Sequence, residues 1–269
     1  MRVDPRAYQD RREVPKYRIN EVALYLGINE PTLRNWFFGY HRTVNGVRKL
    51  HAPIIRPALH NPYEPSLSFY NLAEAQVLAA TRRKWSIVRN ARVSTGPTNP
   101  KFGERPRETV DVQISMQAIR QAVEYVSRDH PVHPLISQYF FTNGKNLFIK
   151  LLEEKFGGRH LTVNVSKFGQ QAFSEILDVY LDRIERDPSG SAIKVYPLRR
   201  LGDQQDKSIV IIPSVGSGRP TISGTGIRVE AIWNRSQAGE NVEDLADDYG
   251  IEPGAIEKAI SYFTDVKAA

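Results

Sequence analysis

Thr32, Arg34 and Asn35 sit close together in PTLRNWFF, where hydrogen-bonding side chains and a cation interleave with apolar residues. An arginine presents a rigid fork of donors that matches guanine edges and phosphate oxygens, and short polar neighbours add local hydrogen bonds. A few residues on, Arg42, Arg48, Lys49 and His51 flank the dipeptide Asn45-Gly46. Both positions of that dipeptide tolerate positive φ, which signals a two-residue hairpin. The chemistry these residues share is recognition of a polyanion. Catalytic constellations are not found. His130 and His133 lie in the proline-interrupted run DHPVHP, which lacks the i, i+4 helical spacing of a zinc-protease pair. GSGRPTISGTG is rich in glycine but has no GK[ST] ending to hold a nucleotide phosphate. Asp178, Asp182 and Glu185 follow helical spacing and read as the water-facing side of an amphipathic helix. No catalytic residue, metal site or cofactor is expected.

The elements around the first group explain its exposure. In YRINEVALYLGI, Val22, Ala23, Leu26 and Ile28 mark one helical face, and Gly27 falls where a left-handed residue ends a helix. Asn29 is placed to cap a second helix, with Pro31 in its first turn. On that second helix Leu33 and Phe37, four apart, face the first helix, and Thr32, Arg34 and Asn35 face outward. Two short helices joined this tightly form a helix-turn-helix, whose second helix can enter the major groove. The hairpin that follows would then be a wing. SFYNLAEAQVLAATRRKW reads as a third helix. Asn71 and Glu74 stand at capping-box spacing, Leu72, Ala75, Leu78 and Ala79 pack inward, and Arg82, Arg83 and Lys84 close it.

The chain has 269 residues and a formal net charge of +7. That charge is unevenly placed: residues 1–90 carry +8, residues 91–207 carry +3 and residues 208–269 carry −4. A basic segment coinciding with the helix-turn-helix is the electrostatic footprint of phosphate binding. Absence of cysteine excludes disulfides, thiolate metal sites and thiol redox sensing. No long apolar run and no apolar leader region occur, so a cytoplasmic protein without a membrane span is expected.

TGPTNPKFGERPR, residues 95–107, reads as a linker. Beyond it, Ile119, Ala122, Val123 and Val126 mark a helix within 115–129, and YFFTNGKNLFIKLL reads as a hairpin turning at Asn143-Gly144. HLTVNVS and AIKVYPL read as strands. GQQAFSEILDVYLDRIERD reads as an amphipathic helix with Phe173, Ile176, Leu177, Tyr180, Leu181 and Ile184 as its stripe. The C-terminal stretch reads as a strand, SIVIIP, a Gly/Ser/Pro loop, and three helices beginning near Val229, Val242 and Pro253. The expected fold is α+β and mainly helical, in three units. These are a winged helix-turn-helix over 1–90, a small α+β unit over 108–207, and a strand plus a homeodomain-like three-helix module over 208–269.

Two resemblances sharpen this. YRINEVALYLGI, PTLRNWF, the hairpin and FYNLAEAQ together resemble the MerR-type winged helices over about residues 17–85. That resemblance implies that Arg34 occupies the position that meets DNA and that Trp36 is an aromatic touching a phosphate. In the C-terminal stretch, Gly218, Arg219, Pro220, Ile222, Gly224 and Thr225 precede Ala238-Gly239-Glu240, Leu245-Ala246 and Asp248-Tyr249-Gly250. This order resembles the small C-terminal domain of VapB-type antitoxins. It implies the non-enzymatic antitoxin of a type II toxin–antitoxin pair, which neutralises a PIN-type ribonuclease and binds operator DNA to repress its own operon. Arg219 is a candidate to enter the acidic centre of such a toxin, or equally a structural arginine on backbone carbonyls. A homodimer is expected, since one short recognition helix reads few base pairs and such proteins double their contacts across a palindrome. The alternative is a MerR-like transcriptional regulator whose central region senses a small ligand.

Overall fold

Helix α3, Phe69–Ala80, is buried along all 12 of its residues, and the other elements collect around it. The computed structural model describes residues 10–59, 61, 63–80, 85–90, 107–112, 116–129, 132–140, 177–199 and 205–267. Burying polar groups inside α3 requires partners for them. Gln76 Nε2 donates to the carbonyl of Tyr196 at 2.9 Å, and Asn71 Nδ2 donates to the carbonyl of Arg56 at 2.9 Å. The expected cap at Asn71 is displaced by one turn. Ser68 Oγ accepts from the Asn71 amide at 3.2 Å while Asn71 Oδ1 accepts from the Ser68 amide at 3.2 Å. Ser68 is therefore the N-cap and Asn71 the returning third residue, which frees Glu74 for another role.

In front of α3 stand α1, Ile19–Leu26, and α2, Glu30–Phe38. Gly27 ends α1 with φ 61°, as its position in the sequence requires. Asn29 stands at the cap position of α2, but its side chain makes no capping bond. Strands β1, Tyr40–Val44, and β2, Val47–His51, form the wing, with Asn45 at φ 50° and Gly46 at φ 77° in the turn. Gly39 joins α2 to the wing at φ 70°, and a Cβ there would lie 2.4 Å from the carbonyl oxygen of His51. Only glycine fits this junction. After the wing, the amides of Ile54 and Ile55 donate to the carbonyl of Trp36 at 2.7 and 3.1 Å, satisfying the last turn of α2.

Strand β3, Trp85–Asn90, pairs antiparallel with β4, Arg107–Val112. The stretch read as a linker lies mostly outside the described residues, but the strands on either side of it are laddered together. The sequence on either side of it is thus not held apart. Helix α4, Met116–Asp129, buries Ile119, Ala122, Val123 and Val126 as their spacing predicts. A 3₁₀ turn, Pro134–Ile136, then packs against α3.

Tyr139 and Phe140 are helical rather than the start of a hairpin arm. The rest of that hairpin, the strand HLTVNVS and the first part of the amphipathic stripe lie outside the described residues. The stripe's helix ends at Leu181, and Ile184–Arg186 is a strand, β5, paired with β6, Ala192–Val195. Arg183 explains the early end. Its side chain is 1% exposed, and both terminal nitrogens donate to the carbonyl of Asp206, at 2.5 and 2.7 Å. Turning the chain to bury that guanidinium takes Ile184 off the helical face.

The C-terminal stretch holds two-residue strands β7, Ile209–Val210, and β8, Thr221–Ile222, then α5, Val229–Gln237, α6, Val242–Tyr249, and α7, Pro253–Lys267. Asn241 caps α6 by accepting from the Asp244 amide at 2.8 Å. The SIVIIP strand is shorter than expected because only Ile209 and Val210 pair with β8, while Ile211 bridges back to Val195 of β6. The fold is α+β and mainly helical, but the units expected from the sequence share one buried core running from Tyr17 to Phe263. Among the described residues no helix is long and apolar enough to cross a membrane.

Candidate nucleic-acid interface

Leu33 and Phe37 are fully buried under α2, and this turns Thr32, Arg34 and Asn35 outward, each at least partly exposed. Arg34 Nη2 meets Glu30 Oε1 at 2.9 Å, and both side chains remain about two-fifths exposed, at 40% and 42%. A solvated i, i+4 pair of this kind is worth only about 0.3–0.5 kcal/mol, so it holds the arginine without committing it. Trp36 does not stand with these residues. It is 2% exposed, on the same face as Leu33 and Phe37, so its indole packs into the core.

On the wing, Arg42, Arg48 and Lys49 are all exposed. The register separates them: Arg42 lies opposite Lys49, whereas Arg48 lies opposite Thr43. Cross-strand partners share a face and successive residues alternate. Arg42 and Lys49 therefore occupy the face of the stacked Tyr40 and His51 rings, whose centroids are 4.6 Å apart, and Arg48 occupies the other. Two cations directly opposite each other destabilise a bare hairpin. An anion laid across them removes that cost.

Sequence reasoning missed a further member of this face. Arg120 of α4 places its guanidinium 5.5 Å from the Tyr40 ring centre and donates from Nε to the carbonyl of Ala52 at 2.9 Å. Nothing local in the sequence signals a contact across 68 positions. The positive field is felt by His51, whose pKa is pushed below its usual value by desolvation first and then by Arg120, Lys49 and Arg42.

Arg219 lies elsewhere and is engaged. Its Nη2 meets Glu21 Oε1 at 3.0 Å, and its Nη1 lies 3.3 Å from the Tyr25 hydroxyl and 3.6 Å from Glu230 Oε2. The partners are carboxylates and a phenol rather than backbone carbonyls, and they tie the loop before β8 to α1. Beside it the Tyr17 hydroxyl donates to the carbonyl of Gly218 at 2.9 Å. Gly218 has φ 73°, and a Cβ on it would lie 2.5 Å from that hydroxyl. The glycine-rich run is thus the seam between the C-terminal helices and the helix-turn-helix.

Residues 15–92 match a family described as "Putative DNA-binding HTH domain", and residues 209–263 match "Protein of unknown function (DUF433)". Over 257 residues the sequence is 28% identical to "Putative antitoxin VapB45" of Mycobacterium tuberculosis (strain ATCC 25618 / H37Rv), covering 93% of this chain and 94% of that protein. The chain is similar to that protein along nearly its whole length. "Uncharacterized protein Rv2308" of the same organism is also 28% identical, across 93% of this chain and 90% of its own length. The crystal structure of Rv2018 from Mycobacterium tuberculosis shares the fold with a TM-score of 0.59 at 24% identity, covering 92% of this chain and 98% of that one. The helix-turn-helix match spans α1, α2, the wing and α3, and within it α2 and the wing carry the exposed polar and basic groups.

Proposed function

We propose that this protein is an antitoxin that binds operator DNA through α2 and the wing, represses its own operon as a homodimer, and neutralises a PIN-type ribonuclease. The observation that carries the DNA half is the like-charged pair Arg42 and Lys49, opposed on an exposed wing and reinforced by Arg120. Phosphates laid along that face would replace repulsion with attraction and release counterions. Arg34, Thr32 and Asn35 would read base edges, with Arg34 leaving Glu30 for guanine. The antitoxin half rests on the likeness to the VapB-type protein across nearly the whole chain. The protein has no catalytic role in this reading, and its acidic C-terminal stretch, with Glu243, Asp244, Asp247 and Asp248 exposed along α6, suits a protein partner better than a nucleic acid.

The test uses the full chain, because the core is shared across the molecule. A nuclease encoded beside it is purified, and RNA cleavage in Mg²⁺ is followed as the intact protein is added. Cleavage should fall to background at stoichiometric ratio. Undiminished cleavage at molar excess would remove the antitoxin reading and leave a second one, a MerR-like transcriptional regulator sensing a ligand. One observation favours that second reading, a cavity of about 700 Å³ whose wall includes Ile54 and Ile55, the residues bonded to the end of α2.

A further inference from the structure

That cavity is bounded by the loop after the wing, by Glu74 of α3, and by the segment around His133. Its volume, about 700 Å³, falls in the range that holds small organic ligands. Much of the wall is apolar, with Ile54, Ile55, Pro57, Val132 and Pro134. At one end stand three polar groups of defined geometry. His133 Nδ1 is 2.9 Å from Glu74 Oε2, and His133 Nε2 is 2.9 Å from Glu13 Oε2. An imidazole bonded at both nitrogens to carboxylates donates from both, which makes it an imidazolium. One cation between two carboxylates leaves the cluster with a net charge of −1.

Two features show that this charge is not neutralised within the cluster. Glu74 is 1% exposed, yet its Oε1 has no hydrogen-bond partner among the described residues. A buried carboxylate oxygen without a donor costs free energy that a bound donor would recover. Glu13 is the accessible member, with its side chain 31% exposed, so a ligand entering the cavity meets it first. Arg56 also borders the cavity, but it is an exposed residue. A cavity with acidic groups at one end, set inside the most basic part of the chain, selects against anions, and a neutral donor would leave the charge in place.

We propose that this cavity is a binding site for a small organic cation, an ammonium or amidinium on an apolar body. Its charged end bonds Glu13 and the unpartnered oxygen of Glu74, and its body lies against Ile54, Ile55 and Pro57. Occupancy bears on α2, because the amides of Ile54 and Ile55 hold the carbonyl of Trp36 at the end of that helix. It also bears on α3, because Asn71 holds Arg56 and Ala58 of the same loop, its Oδ1 accepting from the Ala58 amide at 2.8 Å.

The experiment is titration calorimetry of the intact protein with benzylammonium, benzamidine, benzyl alcohol and benzoate at neutral pH. Benzylammonium or benzamidine should bind saturably at one site, and the alcohol and the acid should not. Glu13→Gln should weaken that binding by about tenfold or more, the loss of one charge-assisted bond, while Glu64→Gln, away from the cavity, leaves it unchanged. Glu74→Gln should act similarly if circular dichroism shows it folded, and Glu13→Gln carries the test if it is not. No saturable binding of either cation up to millimolar concentration, or equal binding of benzyl alcohol, would overturn the proposal. Neither DNA nor a protein partner enters the measurement, so its failure leaves the operator and toxin readings untouched.

Discussion

At the residue scale, the proposed DNA contacts would separate specificity from affinity. A bidentate arginine–guanine contact is worth about 1–3 kcal/mol of discrimination. Arg34→Ala should therefore flatten the preference for operator over random duplex in a mobility-shift titration, and an unchanged ratio would show that another side chain reads the sequence. Lys49→Ala should weaken binding to both duplexes equally and lower the salt slope by about one unit if Lys49 meets a phosphate. Arg48, on the opposite face of the wing, provides the comparison: two equal slopes would mean that the wing is gripped edge-on. His133 gives a stability prediction. Burial alone would pull its pKa down, but hydrogen bonds to Glu13 and Glu74 outweigh that and raise it to about 9 from 6.5. Because the folded value lies above the unfolded one, the stabilisation is complete below pH 6.5 and is lost as pH rises through 9. Denaturant midpoints should fall across that window by an amount worth up to about 3 kcal/mol, and His133→Gln should abolish the slope.

At the element scale, most of the helix-turn-helix and wing was legible because local rules set them. Gly27 ends a helix, Asn45-Gly46 turns a hairpin, and the spacing of Leu33 and Phe37 gives the inner face. Trp36 follows Leu33 by three positions, and that periodicity places it on the inner face. The cap of α3 was misplaced because all its residues are buried, so no polar face marks where the helix begins. The Ser68–Asn71 pair was the available signal. Arg120 on the wing and the Glu13–His133–Glu74 cluster were not legible at all, since their partners lie 59 to 120 positions apart. Two substitutions test the element boundaries by thermal unfolding. Ser68→Ala should cost about 1 kcal/mol through the lost cap. Gly39→Ala should cost about 1–3 kcal/mol through backbone strain, and more if the His51 carbonyl cannot move. It should also impair DNA binding, because it changes the angle between α2 and the wing.

At the scale of the whole molecule, the three units read from composition and charge share one interior. Charge differs along the chain, but burial does not stop where the charge changes. The Tyr262 hydroxyl donates to the carbonyl of Tyr25 at 2.6 Å, and Tyr17, two residues before α1, and Arg219, bonded to Glu21 of α1, make the matching ties to the loop before β8. The bonding partners Tyr17 and Gly218 are separated by 201 positions, and Tyr25 and Tyr262 by 237. A ribosome adding about 5–20 residues per second takes roughly 10–40 s to cover such a distance. During that interval α1 and α2 are outside the exit tunnel without the helices that seal their far side. The proposed DNA-reading surface is thus made before the helices that complete its packing. A chain released early, or trimmed back from its C-terminal helices by a protease, would lose the proposed operator binding along with whatever those helices themselves hold.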